Sequence, residues 1–495
     1  MSRPALALAA ILLLALVVRL AVAWTQVYVV FLDETFQYFE QAHRLAFGSG
    51  IVPWEFFDGA RSWLLPGIIA GIMRATSVFS TDPMLYVRIT RSLCVVQSLS
   101  VVYVGYCLAR QRDGGRGAVV TGLVCALWFE LIYFAPAVLN EVIATHCAIV
   151  AVWLGDTAGQ RERRLLAAGA LFGLAVLLRM QYAPALLVAA LWQYRLDLSR
   201  WKWLVLGGLA VTLPLGGVLD ALTWGAPFQS LWVNLVRNSL QGVASSLSKQ
   251  PWSYYPQFEL AAWQLAAPLL ALVLVGAWQA PAFGLMALVV VVAHSVVPHK
   301  EYRFIYLALA CAPIFVGLGI ATIITWIDRH RGVAVARIAL VTLLLFSLGS
   351  SGYAATHGIL AARWHWLRAD IEVFLAAHDR SDICGLAVKD IPKFGTGGYT
   401  YLNRNVPLYL WDFTPSETRP GAAVPFRLAV VLNNLVLAQY PGEALARATS
   451  RYNYLVAAPE HGEPGYTAVA CFQNAYNPEL PREVCLFQRP GGCER

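Results

Sequence analysis

Charge is what this sequence has least of. Of its 495 residues only 13% are Asp, Glu, Lys or Arg, 58% are hydrophobic, and the mean hydropathy is +0.57. Soluble domains carry about 25% charged residues. Half of that leaves too little polar surface for water, so most of the chain must face lipid. No basic run is interleaved with aromatics, which excludes a nucleic-acid partner. The net charge of +8 suits Arg and Lys held in cytoplasmic loops. There is no zinc spacing, no Asp-x-Asp pair, no Gly-x-Ser-x-Gly and no Walker sequence. Metal hydrolysis, nucleotide-sugar chemistry, serine hydrolysis and ATP use therefore find no support. No internal repeat is visible either, and the acids and bases cluster near span ends rather than at midplane. Both points disfavour a lipid-linked sugar transporter or flippase, the main competing class. A scaffold in an envelope complex is a third reading.

Apolar runs and aromatics are abundant instead, with 17 Trp and 21 Tyr suited to headgroup layers. Eleven spans are expected near 5–24, 85–109, 117–134, 138–155, 165–179, 182–194, 203–222, 260–278, 281–298, 304–326 and 333–353. Arg19 interrupts the first, and snorkelling of its side chain would let that run cross uncleaved, although Ala21-Val22-Ala23 resembles a signal-peptidase site. The segment 63–79 contains Pro66 and Arg74 and either spans or lies in the interface. If interfacial, the basic loops Arg110–Arg116, Arg161–Arg164, Arg195–Lys202 and Asp328–Arg331 all fall inside. If it spans, all of them flip. The interfacial reading is adopted. It places 25–62, 135–141, 223–259, 298–303 and the polar tail from about 354 on the outer side.

The expected architecture is thus an α-helical polytopic membrane domain over 1–353 and a small mixed α/β extracytoplasmic domain over 354–495. Apolar runs such as Cys384–Val388 and Leu428–Leu432 suggest its strands. Five cysteines (Cys94, Cys107, Cys125, Cys147, Cys311) lie in apolar runs. Cys384, Cys471, Cys485 and Cys493 lie in the tail, where one or two disulfides are expected, with three complete pairings open. The glycine-rich Phe394–Gly398 lacks the Lys and the helix start of a phosphate loop.

Three outer segments carry the chemistry. In the first, Asp33, Glu34, Gln37, Glu40 and Gln41 follow the first span, and on a helix Asp33, Gln37 and Glu40 share a face. Acids at a membrane surface are costly, so function is the natural explanation, and an Asp can take a hydroxyl proton. The competing reading is an N-cap at Asp33. In the second, Trp54-Glu55-Phe56-Phe57-Asp58 and Arg61 combine aromatics with acids, as sugar-binding surfaces do; an aromatic belt would look the same. The third, Pro298-His299-Lys300-Glu301-Tyr302-Arg303-Phe304, puts cations on the side where the charge bias disfavours them. A bound phosphate explains them, with Lys as point charge and Arg as bidentate fork. A plain loop with an internal Lys–Glu pair is the alternative. Glu141, beside Asn140, and Arg179 sit at further outer span ends.

Taken in order, these segments resemble glycosyltransferase family 22. Its members are mannosyltransferases that build N-glycan precursors and glycosylphosphatidylinositol anchors from dolichyl-phosphate-mannose. Asp33-Glu34 with Gln37 resembles the family's His-Pro-Asp-Glu-x-x-Gln motif. Trp54-Glu55, Arg61-Ser62 and Pro66 resemble its Trp-Glu and Arg-Ser segment. Asp220 to Trp224-Gly225, Asn234, Asn238 and Pro251–Tyr255 resemble its long luminal loop. His299-Lys300-Glu301-x-Arg303-Phe304 resembles its most distinctive signature. The resemblance covers roughly 1–325. Phe31-Leu32 stands in place of His-Pro, and Arg179-Met180-Gln181 in place of Arg-Pro-Thr.

The resemblance implies a GT-C fold with interfacial helices in the first outer loop and a metal-independent inverting transfer. It implies Asp33 as general base and His299–Arg303 near the donor phosphate. Glu34, Gln37, Glu55, Arg61, Glu141 and Arg179 are further candidates for contact with substrate, although Glu141 and Arg179 could each instead close a tight turn. No cofactor is expected, because the lipid-phosphate sugar is itself the donor substrate. The expected partners are membrane lipid, that donor and a glycan or glycolipid acceptor. The Ala-, Leu- and Arg-rich style suggests a bacterial chain with an undecaprenyl- or decaprenyl-phosphate donor and a periplasmic active site.

Overall fold

The computed structural model describes residues 3–158, 161–243, 249–389, 391, 395–410, 438–439, 449–474 and 481–494. Backbone contacts divide them into two compact units. One comprises 1–25, 91–217 and 235–361; the other comprises 26–90, 218–234 and 362–495.

Among the described residues, six helices are long and apolar enough to cross a bilayer: Arg3–Thr25, Pro83–Leu127, Leu198–Thr223, Tyr254–Gln279, Tyr302–Arg331 and Val333–Thr356. Pro83–Leu127 turns at Gly114 (φ 74°), inside the basic segment expected to be a loop. Helices Asn140–Ala158, Glu162–Leu178, Ala183–Tyr194 and Pro281–Val296 also lie where spans are expected. The chain is a multi-pass membrane protein. One expected span is corrected. The run 117–134 is broken at Trp128, whose backbone is extended, and restarts as the short helix Phe129–Phe134.

Within the first unit, the ends of the helices sort by charge. Arg112 pairs with Asp156 at 3.3 Å and Arg116 with Asp328 at 3.6 Å, which brings the basic 110–116 segment against the helix ends at Asp156 and Asp328. Glu141 lies at the other end of Asn140–Ala158, about 22 Å from Asp156 at 1.5 Å rise per residue. Glycines let helices approach closely. A Cβ on Gly169 would lie 2.0 Å from the Leu204 carbonyl oxygen, and one on Gly207 would lie 2.1 Å from that of Leu166.

Arg19 does not snorkel. It is fully buried and donates to the Ser98 carbonyl and hydroxyl (2.9 and 2.7 Å) and to the Cys125 carbonyl (2.9 Å). An internal bond partner is better for a guanidinium in lipid than a strained reach to the interface.

In the second unit, a π-helix over Glu34–Phe39 leads into the helix Glu40–Phe47, followed by Trp54–Phe57 and Leu64–Ser77. The last has 14 residues, about 21 Å of rise, too short for a hydrocarbon core of about 30 Å. The tail forms a mixed sheet from β1 (Leu386–Val388), β2 (Leu408–Leu410), β3 (Ala438–Gln439), β4 (Tyr454–Ala457), β5 (Thr467–Gln473) and β6 (Glu483–Gln488). The order is β3-β2-β1-β4-β6-β5; β1 to β4 pair in parallel and β6 runs antiparallel to β4 and β5. The helix Arg368–His378 packs on β5 and β6. Both tail disulfides form, Cys384–Cys493 and Cys471–Cys485, the second joining directly paired residues of β5 and β6. The five helical cysteines take no part in these two disulfides. The run Leu428–Leu432 lies outside the described residues.

Candidate active site

Asp33 begins the π-helix and is partly exposed, while Glu34, Gln37, Glu40 and Gln41 behind it are buried. It makes no capping hydrogen bond, so the N-cap reading fails. The wider π turn also breaks the single face expected for these residues. The Glu34 carboxylate folds back to accept from Val30 N at 2.5 Å. Gln37 donates to Glu55 at 2.8 Å, bringing together two predicted residues. Glu40 turns away and accepts from Ile51 N and from Thr400. π-turns are rare and concentrate at functional positions.

The aromatics of the next segment do something unexpected. Phe56 and Trp63 bury themselves against Trp224, with ring centroids 4.9 to 6.2 Å apart. Phe56 thus joins a buried core, while Trp54 and Phe57 stay half-buried. Trp224 Nε1 donates to the Arg61 carbonyl, and Asn234 donates to that of Ala60. Asp220 folds its own loop by accepting from Ser230 N and Oγ (2.9 and 2.6 Å).

The first unit assembles the cationic residues. Glu141 accepts from Arg179 at 2.9 Å and lies 3.5 Å from Arg303, and all three are buried. Arg303 Nε donates to Glu301 at 2.6 Å, and His299 Nε2 lies 3.0 Å from the other Glu301 oxygen. Burial opposes the Glu301 charge, but the Arg303 guanidinium and His299 ring hold its carboxyl below the usual range. Both guanidiniums lean on the Phe304 ring, at 4.6 and 5.3 Å. The plain-loop alternative, a Lys–Glu pair, is not formed. Lys300 instead donates to the carbonyls of Gln250 and Val297.

Sequence reasoning missed two acids of this unit. Glu130 is fully buried and accepts from Trp128 Nε1 at 3.0 Å; Glu259 accepts from Tyr302 at 3.1 Å. An acid inside an apolar run was the available signal.

The whole chain is similar to the crystal structure of ArnT from Cupriavidus metallidurans bound to undecaprenyl phosphate. The TM-score is 0.63 at 13% identity, covering 98% of this chain and 99% of that one. It is also similar to the Archaeoglobus fulgidus oligosaccharyltransferase tethered to an acceptor peptide, with TM-score 0.53, 12% identity, and 91% and 69% coverage. These likenesses define the class as a GT-C membrane fold. Residues 10–368 match the model of the Alg9-like mannosyltransferase family, and the chain belongs to that family of glycosyltransferases. Curated relatives include GPI mannosyltransferase 3 of Yarrowia lipolytica, 28% identical over 77% of this chain and 73% of that one. GPI alpha-1,2-mannosyltransferase 3 of Bos taurus is 27% identical over 59% of this chain, which spans 56% of its length.

Proposed function

We propose that the protein is an inverting transferase. It moves a hexose, mannose by family, from polyprenyl phosphate to a glycan or glycolipid acceptor on the outer face of the inner membrane. The observation that carries the reading is the buried pair Arg179 and Arg303, converging on Glu141 at 2.9 and 3.5 Å. The acids hold two guanidiniums in fixed orientation, and Lys300, held by carbonyls, adds a further cationic side chain. Such a preorganised group suits a phosphate that gains charge as it leaves.

The acceptor hydroxyl attacks the anomeric carbon. A new C–O bond forms, the bond to the phosphate oxygen breaks, and its electron pair leaves with polyprenyl phosphate. The hydroxyl proton passes to the Asp33 carboxylate. Partial exposure suits Asp33 to meet an acceptor, and the Gln37–Glu55 pair behind it suits sugar hydroxyls. The structural likeness to a protein bound to undecaprenyl phosphate supports a lipid-phosphate donor. The two tail disulfides support an oxidising, extracytoplasmic side.

The test is transfer in lipid nanodiscs supplied with polyprenyl-phosphate-mannose, membrane-extracted acceptors and EDTA. Release of polyprenyl phosphate should need acceptor, survive EDTA and vanish in Asp33→Asn, which should remain folded and inserted. Transfer retained by Asp33→Asn would remove Asp33 as the base.

A further inference from the structure

The end of the glycine-rich segment, at Gly398, is not absorbed by this mechanism, yet it closes directly on Glu40. A short helix, Gly398–Leu402, does start there, contrary to the sequence expectation. The group that its residues hold is a carboxylate of this same chain. Thr400 donates to Glu40 Oε1 twice, from N and from Oγ, both at 2.6 Å, while Ile51 N donates to Oε2 at 2.6 Å. Gly398 has φ +61°, and a Cβ there would lie 2.6 Å from the Glu40 carboxyl carbon. Any larger residue would push the carboxylate off its donors. Further bonds brace the grip. The Tyr86 hydroxyl donates to the Thr400 carbonyl, Asn403 donates to the Thr81 carbonyl at 2.9 Å, and His43 lies 3.2 Å from the Asn403 side chain.

Glu40 sits where the π-helix ends. Its N–H bonds to Thr35 O, five residues back, which closes the last π turn. An α-helix would use Phe36 O instead. That carbonyl is taken by the Gln41 side chain, which donates to it at 2.7 Å and also to Ile51 O at 2.8 Å. If the segment relaxed to α geometry, one residue would be lost from the turn. Everything before Glu40 would then rotate by about 100° relative to everything after it. Asp33 and Gln37 lie on the side that would rotate.

We propose that Glu40 is a positioning residue for transfer. The glycine-rich segment and Thr400 grip its carboxylate and so set the helical phase that aims Asp33 and Gln37. This rests on the reading of Asp33 as base.

The test compares Thr400→Val, Thr400→Ser, Gly398→Ala and Glu40→Gln with the intact protein in nanodiscs, using polyprenyl-phosphate-mannose. Thr400→Val and Gly398→Ala should lower kcat at least about tenfold while the donor KM moves less than about threefold, the signature of misplaced chemistry. Thr400→Ser, which keeps the hydroxyl donor, should recover to within about twofold of the intact protein. Glu40→Gln offers one acceptor oxygen for donors on two, and should fall between. Amide exchange over 33–39 should quicken in Thr400→Val. Unchanged kcat in folded Thr400→Val, with Asp33→Asn inactive, overturns the positioning role and leaves the base assignment standing. Activity retained in Asp33→Asn overturns both. Where Thr400→Val folds poorly, Glu40→Gln decides. A loss of kcat that only tracks its folded fraction overturns the proposal.

Discussion

Arg179, Arg303 and Glu141 show how one residue's environment sets its task. Breaking a buried pair leaves an uncompensated charge, costing about 3–5 kcal/mol, so each member of the cluster also depends on the others. Glu40 is the other instructive case, since burial raises its carboxyl to about 7 despite several hydrogen bonds that favour the charge. The charged or titratable groups facing it are Arg44, Tyr86 and Tyr399. Between the ordinary value of 4.5 and about 7, the folded protein keeps a proton that the unfolded chain releases. The resulting stability is fully present below pH 4.5 and lost as pH rises through 7. On the order of 3 kcal/mol is at stake. The melting temperature of the intact protein should therefore be higher at pH 5.5 than at pH 8, and Glu40→Gln should flatten that difference. Equal slopes in thermal melts of both proteins would remove Glu40 as the source.

Helix pairs in lipid gain little from the hydrophobic effect and depend on close packing. Gly169 and Gly207 bring the helices Glu162–Leu178 and Leu198–Thr212 backbone to backbone. Because the obstacle at each is a carbonyl oxygen, neighbouring side chains cannot yield. Gly207→Val should cost about 3 kcal/mol by overpacking, read as a lower melting temperature or loss of the monodisperse fraction in detergent. Gly115→Val, with nothing within 4 Å of its Cβ position, is the matched control. The tail is stapled differently. Cys471–Cys485 ties neighbouring strands, whereas Cys384–Cys493 closes a separation of 109 residues, where constraint of the unfolded chain is larger.

For the molecule as a whole, sidedness joins the charge pattern to the chemistry. In the first unit the basic 110–116 segment lies at one end of Asn140–Ala158 and the arginine cluster at the other, and the positive-inside rule would place the first end in the cytoplasm. A membrane-impermeant thiol reagent should modify Glu460→Cys in intact spheroplasts and Gly115→Cys only after lysis; both positions are exposed. The reverse pattern would invert the topology and move the proposed site to the cytoplasm.

Much of this was readable along the chain. Membrane class and the candidacy of Glu141, Arg179 and Arg303 as polar residues at span ends follow from hydropathy, segment length and charge bias, which are local properties; that these three meet in one cluster does not. The sequence alone therefore determined that the chain lives in a bilayer, and it marked the segments from which the candidate site is drawn. Partner choice was decided only by tertiary structure. Arg19 turned inward to Ser98, Lys300 took carbonyls rather than Glu301, and Phe56 joined a core instead of a binding face. Glu40 found its partner 360 residues away. A buried polar atom must be satisfied by whatever donor the fold brings within 3 Å, and no local pattern records which segment that will be.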